Sequence, residues 1–323
     1  MKLGEHALTH GLFLAPMAGF TDHAMREICH RMGAEATVTE MISAKAVCYN
    51  DKKTLVLGRI YPTDGPCSLQ LFGSEEEFLA EAARRLAGGA GGGLPPMAFD
   101  INMGCPVPKV FGNGEGSALM RDPKRIERLV RAVVDTTPIP VTVKLRAGID
   151  PTSRNAVECA LAAEAGGATL VAIHGRTRKE MYAGLADRKI IKNVKSALHI
   201  PVIANGDIVS GESALAMLRE TGANGLMVGR AAIGNPFLFA EILAALEGRA
   251  YTPPTTEERV AAAKEQLAAA VLEKGEELAV REGRKQIALY LRAHRGAAAL
   301  RAKIHQANTV GEVHAALDEA MRS

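Results

Sequence analysis

Cys105 is the side chain best placed for acid–base or covalent chemistry in this 323-residue chain. It stands in Phe99-Asp100-Ile101-Asn102-Met103-Gly104-Cys105-Pro106, an apolar run broken abruptly by Gly104 and Pro106. Such a run reads as a short buried strand that stops in a loop, leaving the thiol at the strand's carboxyl end. Gly112, Gly114 and Gly116 keep that loop irregular until a helix opens at Asp122-Pro123. A thiol so placed can meet a ligand as acid or nucleophile; a free cysteine can equally be a small buried hydrophobe. Other polar groups share its position just past an apolar run: Gln70, Asn102, Lys144, Arg146, His174, Arg176, Asn205, Asp207 and Arg230. They contain no His, Asp and Glu cluster at metal spacing, so no metal is expected. They contain no Ser/His/Asp set with a glycine elbow either.

The elements that must position these groups follow one rhythm. Apolar runs at 12–15, 36–39, 67–72, 98–103, 141–145, 170–174, 201–205 and 225–229 each precede a helical pattern. Thr21-Asp22 and a Ser74/Glu77 capping box open two of these helices. Eight β-then-α units in about 250 residues predict an α/β fold, a (β/α)8 TIM barrel, whose chemistry gathers at the strands' carboxyl ends. An open doubly wound sheet would carry a Gly-rich turn after its first strand, where Ala15-Pro16-Met17-Ala18-Gly19 stands instead. The predicted organisation is a catalytic barrel over residues 1–248, a linker over 249–255 and a small C-terminal helical bundle over 256–323. The bundle's helices are expected at 257–273, 276–294, 297–306 and 310–321. The glycine-rich stretch Gly88–Pro96 lacks a following Lys-Ser/Thr and precedes a strand, so it reads as a flexible insertion on the face away from the chemistry.

Composition narrows the class. Hydrophobic residues make up 47% of the chain, enough for a large core, and the net charge of +3 neither demands nor excludes an anionic partner. The five cysteines are odd in number and widely spaced with no C-x-x-C pair, the pattern of a reduced, cytoplasmic protein. No targeting segment and no apolar run of about 20 residues is read, so no membrane association is expected. A monomer is expected.

Asn205-Gly206-Asp207 after the seventh run and Gly229-Arg230-Ala231 after the eighth match a barrel's phosphate site. Glycines there let backbone N–H groups approach an anion, and Arg230 adds a cation. Both glycines could instead be simple turn residues. A phosphate site, Lys144 and His174 sharing one barrel mouth suggest FMN. Lys144 would then stabilise the reduced flavin's N1/O2 edge, Gln70 would bond its pyrimidine part, and Pro16, Met17 and Ala18 would back one face.

At this point the motifs become specific. Leu14-Ala15-Pro16-Met17-Ala18-Gly19, Asp100–Pro106, His174-Gly175-Arg176-Thr177-Arg178, Asn205-Gly206-Asp207 and Gly229-Arg230-Ala231 together resemble the tRNA-dihydrouridine synthase family, most closely its bacterial DusB branch. The resemblance runs in order from about residue 12 to residue 247. It implies FMN-dependent reduction of a D-arm uridine in tRNA to 5,6-dihydrouridine, with NADPH as the reductant. Hydride would pass from flavin N5 to uracil C6, and Cys105 would protonate C5 of a base extruded from the tRNA fold. Asn102 would contact the uracil or shape the loop, and Arg176 and Arg178 would contact substrate. The chain departs from the family's usual Gln at Glu180, and Gln286 replaces a His in Arg284-Lys285-Gln286.

The tail carries its own signal. Arg281, Arg284, Lys285, Arg292, Arg295, Arg301 and Lys303 are interrupted by Glu282 alone, while Glu273, Glu276 and Glu277 precede them. Segregated cations suit RNA phosphates; the alternative is a solvated helix face. Arg284 and Lys285 are the expected tRNA contacts. Two other functions compete: an FMN barrel reducing a free pyrimidine, for which a basic tail has no use, and a non-catalytic tRNA-binding module, for which Cys105, Lys144 and His174 have none.

Overall fold

The computed structural model describes residues 1–292, 294 and 296–322, so Arg295 lies outside the described residues. Eight parallel strands form the barrel: β1 Leu12–Leu14, β2 Thr37–Val38, β3 Cys67–Phe72, β4 Phe99–Met103, β5 Val141–Arg146, β6 Leu170–His174, β7 Val202–Asn205 and β8 Gly225–Val228. Hydrogen bonding runs in the order β1-β8-β7-β6-β5-β4-β3-β2, and a Phe13–Ala36 bridge joins β2 back to β1. Neighbours such as Asn102 and Lys144, or Arg146 and His174, are register partners, so their side chains share one level.

Strand period sorts the residues. Leu12, Leu14, Val143, Ile173 and Val228 pack outward with the helices in the main core. Phe13, Ala36, Leu170, Ala172, Ile203 and Met227 form a separate cluster inside the barrel. Toward the carboxyl ends the interior turns polar, with Gln70, Asp100, Asn102, Thr142, Arg146, His174 and Asn205 all buried. Apolar filling thus ends where the mouth begins.

The opposite end is closed by an element that the periodicity does not suggest. Lys2–Leu3 and His6–Ala7 pair antiparallel, and Leu3 and Leu8 join the interior cluster. Gly4, at φ +56, makes the two-residue turn, a conformation that favours glycine. A second unpredicted strand, Ile42–Ser43, pairs with β3 near its end.

Two sequence expectations need correction. The helix Glu76–Leu86 starts one residue later than the expected capping box, with Glu75 at its N-cap and no side-chain cap bond, while the Ser74 carbonyl accepts from Arg125. Gly88–Pro96 is not a loose loop: Ala90 is fully buried, and Leu94 N–H donates to Ile60 O at 2.9 Å. A Cβ on Gly93 would come within 2.6 Å of the Ile60 carbonyl oxygen, so the glycine is there for close packing.

The C-terminal helices are Thr256–Lys274, Glu276–Ile287, Ala297–Gln306 and Val310–Ala320, with a 3-10 turn Ala288–Leu291 ending the second earlier than expected. Thr255 and Glu258 form a capping box at the first. Polar contacts hold these helices on the barrel. Lys274 pairs with Asp22 at 2.6 Å, and Gln286 donates to Phe20 O at 3.2 Å. Behind that bond, Gln266 donates to Gln286 at 2.8 Å and accepts from the Tyr290 hydroxyl at 2.7 Å. No helix among the described residues is long and apolar enough to cross a membrane.

Candidate active site

The site is a polar chain that climbs the barrel wall to the thiol. Asp100 accepts from Thr142 Oγ1 at 2.6 Å and from Gln70 Nε2 at 2.6 Å. Gln70 Oε1 accepts from Asn102 Nδ2 at 2.8 Å. Asn102 Oδ1 then accepts the backbone N–H groups of Gly104 and Cys105, at 3.2 and 2.9 Å. Of the two roles considered for Asn102, the geometry displays the loop-shaping one. Burial raises the Asp100 carboxyl above its ordinary range, against the bonds from Thr142 and Gln70.

The loop is braced from the far side as well. Ser117 Oγ donates to Cys105 O at 2.8 Å, and Arg146 Nε donates to Gly104 O at 2.8 Å. Cys105 is 9% exposed. Burial pushes its thiol up, against a Val107 backbone bond and the Arg146 charge, so it is protonated at neutral pH.

Beside the thiol lies a concentration of positive charge. Lys144 Nζ donates to Asn205 Oδ1 at 3.1 Å, and Asn205 Nδ2 donates to Met227 O at 2.7 Å. Burial, then the Arg146 charge, brings Lys144 down to about 8. Burial likewise brings Arg146 down to about 10. His174 is held far below its ordinary range by burial, then by Lys144, Arg146, Arg176 and Arg230, and stays a neutral imidazole. It fits a hydrogen-bonding role better than an acid's.

Arg176 and Asp207 are placed differently from expectation. Arg176 is 2% exposed and donates to Asp207 at 2.8 Å, to Ala183 O at 3.1 Å and to Gly184 O at 2.6 Å. Asp207 Oδ2 also accepts from Ala186 N at 2.7 Å. This pair folds the segment after β6 beneath the mouth, leaving Arg176 no open face toward a substrate. Glu180 works with it, accepting from Thr177 N and Arg154, both at 2.7 Å.

The residues expected at a phosphate site gather at one edge. Gly206 sits at φ +125, and a Cβ there would lie 2.6 Å from Ala186. A Cβ on Gly229 would come no closer than 3.8 Å to Ala15 and Met17, which brings Pro16, Met17 and Ala18 beside the β8 loop. Arg230 is exposed, 4.1 Å above the Tyr182 ring. A cradle with glycine backbone, two nearby cations and a thiol fits a phosphorylated flavin. Arg146 stood among the strand-end groups without an assigned role, while Asp100, Thr142, Ser117 and Tyr182 were not singled out as site residues. Of these, only Asp100 carried a signal, as a carboxylate at an inward position of an apolar strand.

The tail cations diverge. Lys285 is exposed with Nζ 4.4 Å over the Phe20 ring, beside the β1 loop. Arg284 donates to His305 O at 2.9 Å and ties two helices together. Lys303 pairs with Glu319, and Arg281 lies 3.9 Å from Glu277, so the basic face is partly neutralised from outside the stretch that defined it.

Comparison with known proteins gives a consistent picture. Residues 13–323 match the dihydrouridine synthase family model. The chain is 39% identical over 308 residues to tRNA-dihydrouridine synthase B of Pseudomonas putida, covering 94% of this chain and 89% of that one. It is 40% identical over 323 residues to tRNA-dihydrouridine synthase B of Vibrio cholerae, covering 98% of each. Among solved structures, morphinone reductase in complex with tetrahydroNAD shares the fold, with a TM-score of 0.51 at 15% identity over 80% of this chain and 92% of that one.

Proposed function

Because the chain belongs to the dihydrouridine synthase family, in its B branch, we propose that it reduces a uridine of the tRNA D-arm to 5,6-dihydrouridine. FMN is the proposed cofactor, NADPH the proposed reductant, and the bound flavin would supply hydride to uracil C6. The observation that carries the reading is the pairing of a protonated, loop-borne thiol with the cation cluster around His174.

Each residue's part follows from its surroundings. Lys144 and Gln70 would hold the flavin ring, and the loops after β7 and β8, with Arg230, its phosphate. Neutral His174 would donate or accept a hydrogen bond without adding charge. Asn102 and Arg146 hold the thiol loop by its backbone, leaving Cys105 to deliver its proton to C5 on an extruded base. Residues 256–323, the proposed tRNA-binding domain, would present Lys285 at the mouth's edge. A soluble cytoplasmic enzyme is the proposed setting. The purified protein is expected to be yellow, and tRNA from cells lacking it to lose dihydrouridine at a D-arm position. Unchanged dihydrouridine maps in such cells would overturn the proposal.

Lys144 gives this reading a pH signature. With the lysine brought down to about 8, an anionic ligand must reprotonate it at higher pH. FMN affinity is therefore expected to be flat below pH 8 and to fall by up to about tenfold per unit above it, with proton uptake in calorimetry. Lys144→Met should abolish both slope and uptake; a flat wild-type profile to pH 9.5 would remove Lys144 from the flavin site. The free protein should show the opposite sign. Between about 8 and the ordinary 10.5 the unfolded chain holds more protons, so stability rises with pH there.

Lys285 gives a second test. Lys285→Glu is expected to raise the tRNA concentration needed for half-maximal turnover roughly tenfold at low salt. NADPH oxidation without tRNA should be unaffected. Equal tRNA saturation in mutant and wild type would return Lys285 to a solvated helix face.

A further inference from the structure

Phe111 lies in the short helix Pro108–Gly112, on the loop that carries Cys105. Two guanidinium groups rest on its ring, Arg178 at 3.7 Å and Arg121 at 4.4 Å from the centroid. They arrive from separate segments, Arg121 from the 3-10 turn Gly116–Arg121 and Arg178 from the loop after β6. The two charges are therefore held about 8 Å apart or less.

Among the described residues neither guanidinium pairs with a carboxylate, and the buried Arg178 Nε has no hydrogen-bond partner. Nearby arginines differ: Arg146 donates to three carbonyls, and Arg154 and Arg176 pair with carboxylates. A ring face attracts the charge but leaves N–H donors open, and guanidinium donors held this close together match a tetrahedral oxyanion.

The place is next to the Cys105 thiol. A Cβ on Gly116 would come within 2.9 Å of Cys105 Cβ and 3.0 Å of Val110 Cγ1, so the Val110-Phe111 segment packs on the thiol loop. Arg178 N donates to Gly148 O at 2.9 Å, and the preceding Thr177 carbonyl accepts from Arg146, which also braces Gly104. From this geometry we infer that Arg121 and Arg178, set on Phe111, clamp a backbone phosphate of the tRNA beside the uridine offered to Cys105. The inference rests on tRNA being the substrate. A polymer backbone places a phosphate next to every base, which suits a clamp built on the thiol's own loop.

The test uses the flavin-loaded full chain, with Arg121→Gln and Arg178→Gln compared with wild type. Binding of a tRNA transcript is followed by fluorescence anisotropy from 50 to 200 mM KCl, alongside single-turnover reoxidation by tRNA and NADPH saturation. Each substitution is expected to weaken tRNA binding about tenfold at low salt and to lower the log–log salt slope by about one. Reoxidation at saturating tRNA and the NADPH KM should match wild type. Arg121 is exposed, so Arg121→Gln should fold normally, and Arg121→Lys should keep the slope. Unchanged tRNA binding overturns the clamp, as does a raised NADPH KM with normal tRNA binding, which would give these arginines to the dinucleotide's phosphate. If wild type binds tRNA but never reduces it, the proposed function fails while the binding arm still decides the clamp.

Discussion

Cys105→Ala is expected to slow reoxidation of the reduced flavoprotein by tRNA by about 10²–10⁴-fold, the usual worth of a general acid. FMN retention and NADPH-driven flavin reduction should stay at wild-type levels, because the Asn102 and Ser117 bonds at position 105 go to its backbone and survive the substitution. In the proposed reaction, hydride arriving at C6 would leave enolate character that needs a proton at C5. His174 is neutral and ringed by cations, and Lys144 is engaged with Asn205, so neither competes well as the acid. The other four thiols offer a control. Cys29, Cys67 and Cys159 are buried away from the mouth, with Cys67 pushed to about 11 and Cys159 to about 12, and Cys48 bonds Phe78 O on the outer helices. Their alanine variants should lose little activity. Wild-type reoxidation by Cys105→Ala would remove the thiol from the chemistry.

Asp207→Ala is expected to produce the largest loss of stability among the mouth residues. Its carboxylate is the only acidic partner of Arg176 among the described residues. Without it a guanidinium that is nearly fully buried stands unpaired beside Lys144, Arg146 and Arg230. Leaving one partner of a buried pair uncompensated costs about 3–5 kcal/mol; with Asp207 itself 28% exposed, about 3 is the better figure. That corresponds to a fall of roughly 6 °C in Tm for a chain of this size. The first backbone to loosen should be residues 176–187, seen as faster hydrogen exchange there and as proteolytic cleavage near the exposed Tyr182. Asp207→Asn keeps an acceptor for Arg176 and should lose less. A variant with wild-type Tm and protected 176–187 amides would show that the pair holds nothing in place.

What could be read in the sequence, and what could not, divides along physical lines. The strands at 67–72 and 170–174 match their apolar runs residue for residue, because burial on both faces makes such runs continuous. Gln70, Lys144, His174 and Asn205 were identifiable because a barrel puts strand ends in one place. The hairpin Lys2–Ala7 escaped because two-residue strands have no measurable period; its one cue was Gly4 before Glu5. The position of Arg176 escaped for a different reason. A charged residue in a motif beside His174 looks like a ligand contact, and only the three-dimensional path of Ala183 to Ala186 shows its donors consumed at home. The Ser74 cap failed because a capping pattern does not fix the first helical residue, and the helix begins one residue later, after Glu75.

The Gln266–Gln286–Tyr290 network and the Lys274–Asp22 pair have a consequence for delivery of the substrate. The Lys274–Asp22 pair and the Gln286–Phe20 bond, the latter backed by Gln266 and Tyr290, tie the helical tail to the segment after β1 through largely sheltered contacts. On the proposed function the tail would act as a jig, with the angle at which a long, stiff RNA meets the thiol set by joinery rather than by reading bases. A uridine would then be chosen because it is the one that reaches the mouth when the rest of the molecule is seated. Retargeting such an enzyme would mean recutting the joint at Phe20, Asp22 and Gln286, while the pocket that performs the reduction could stay as it is.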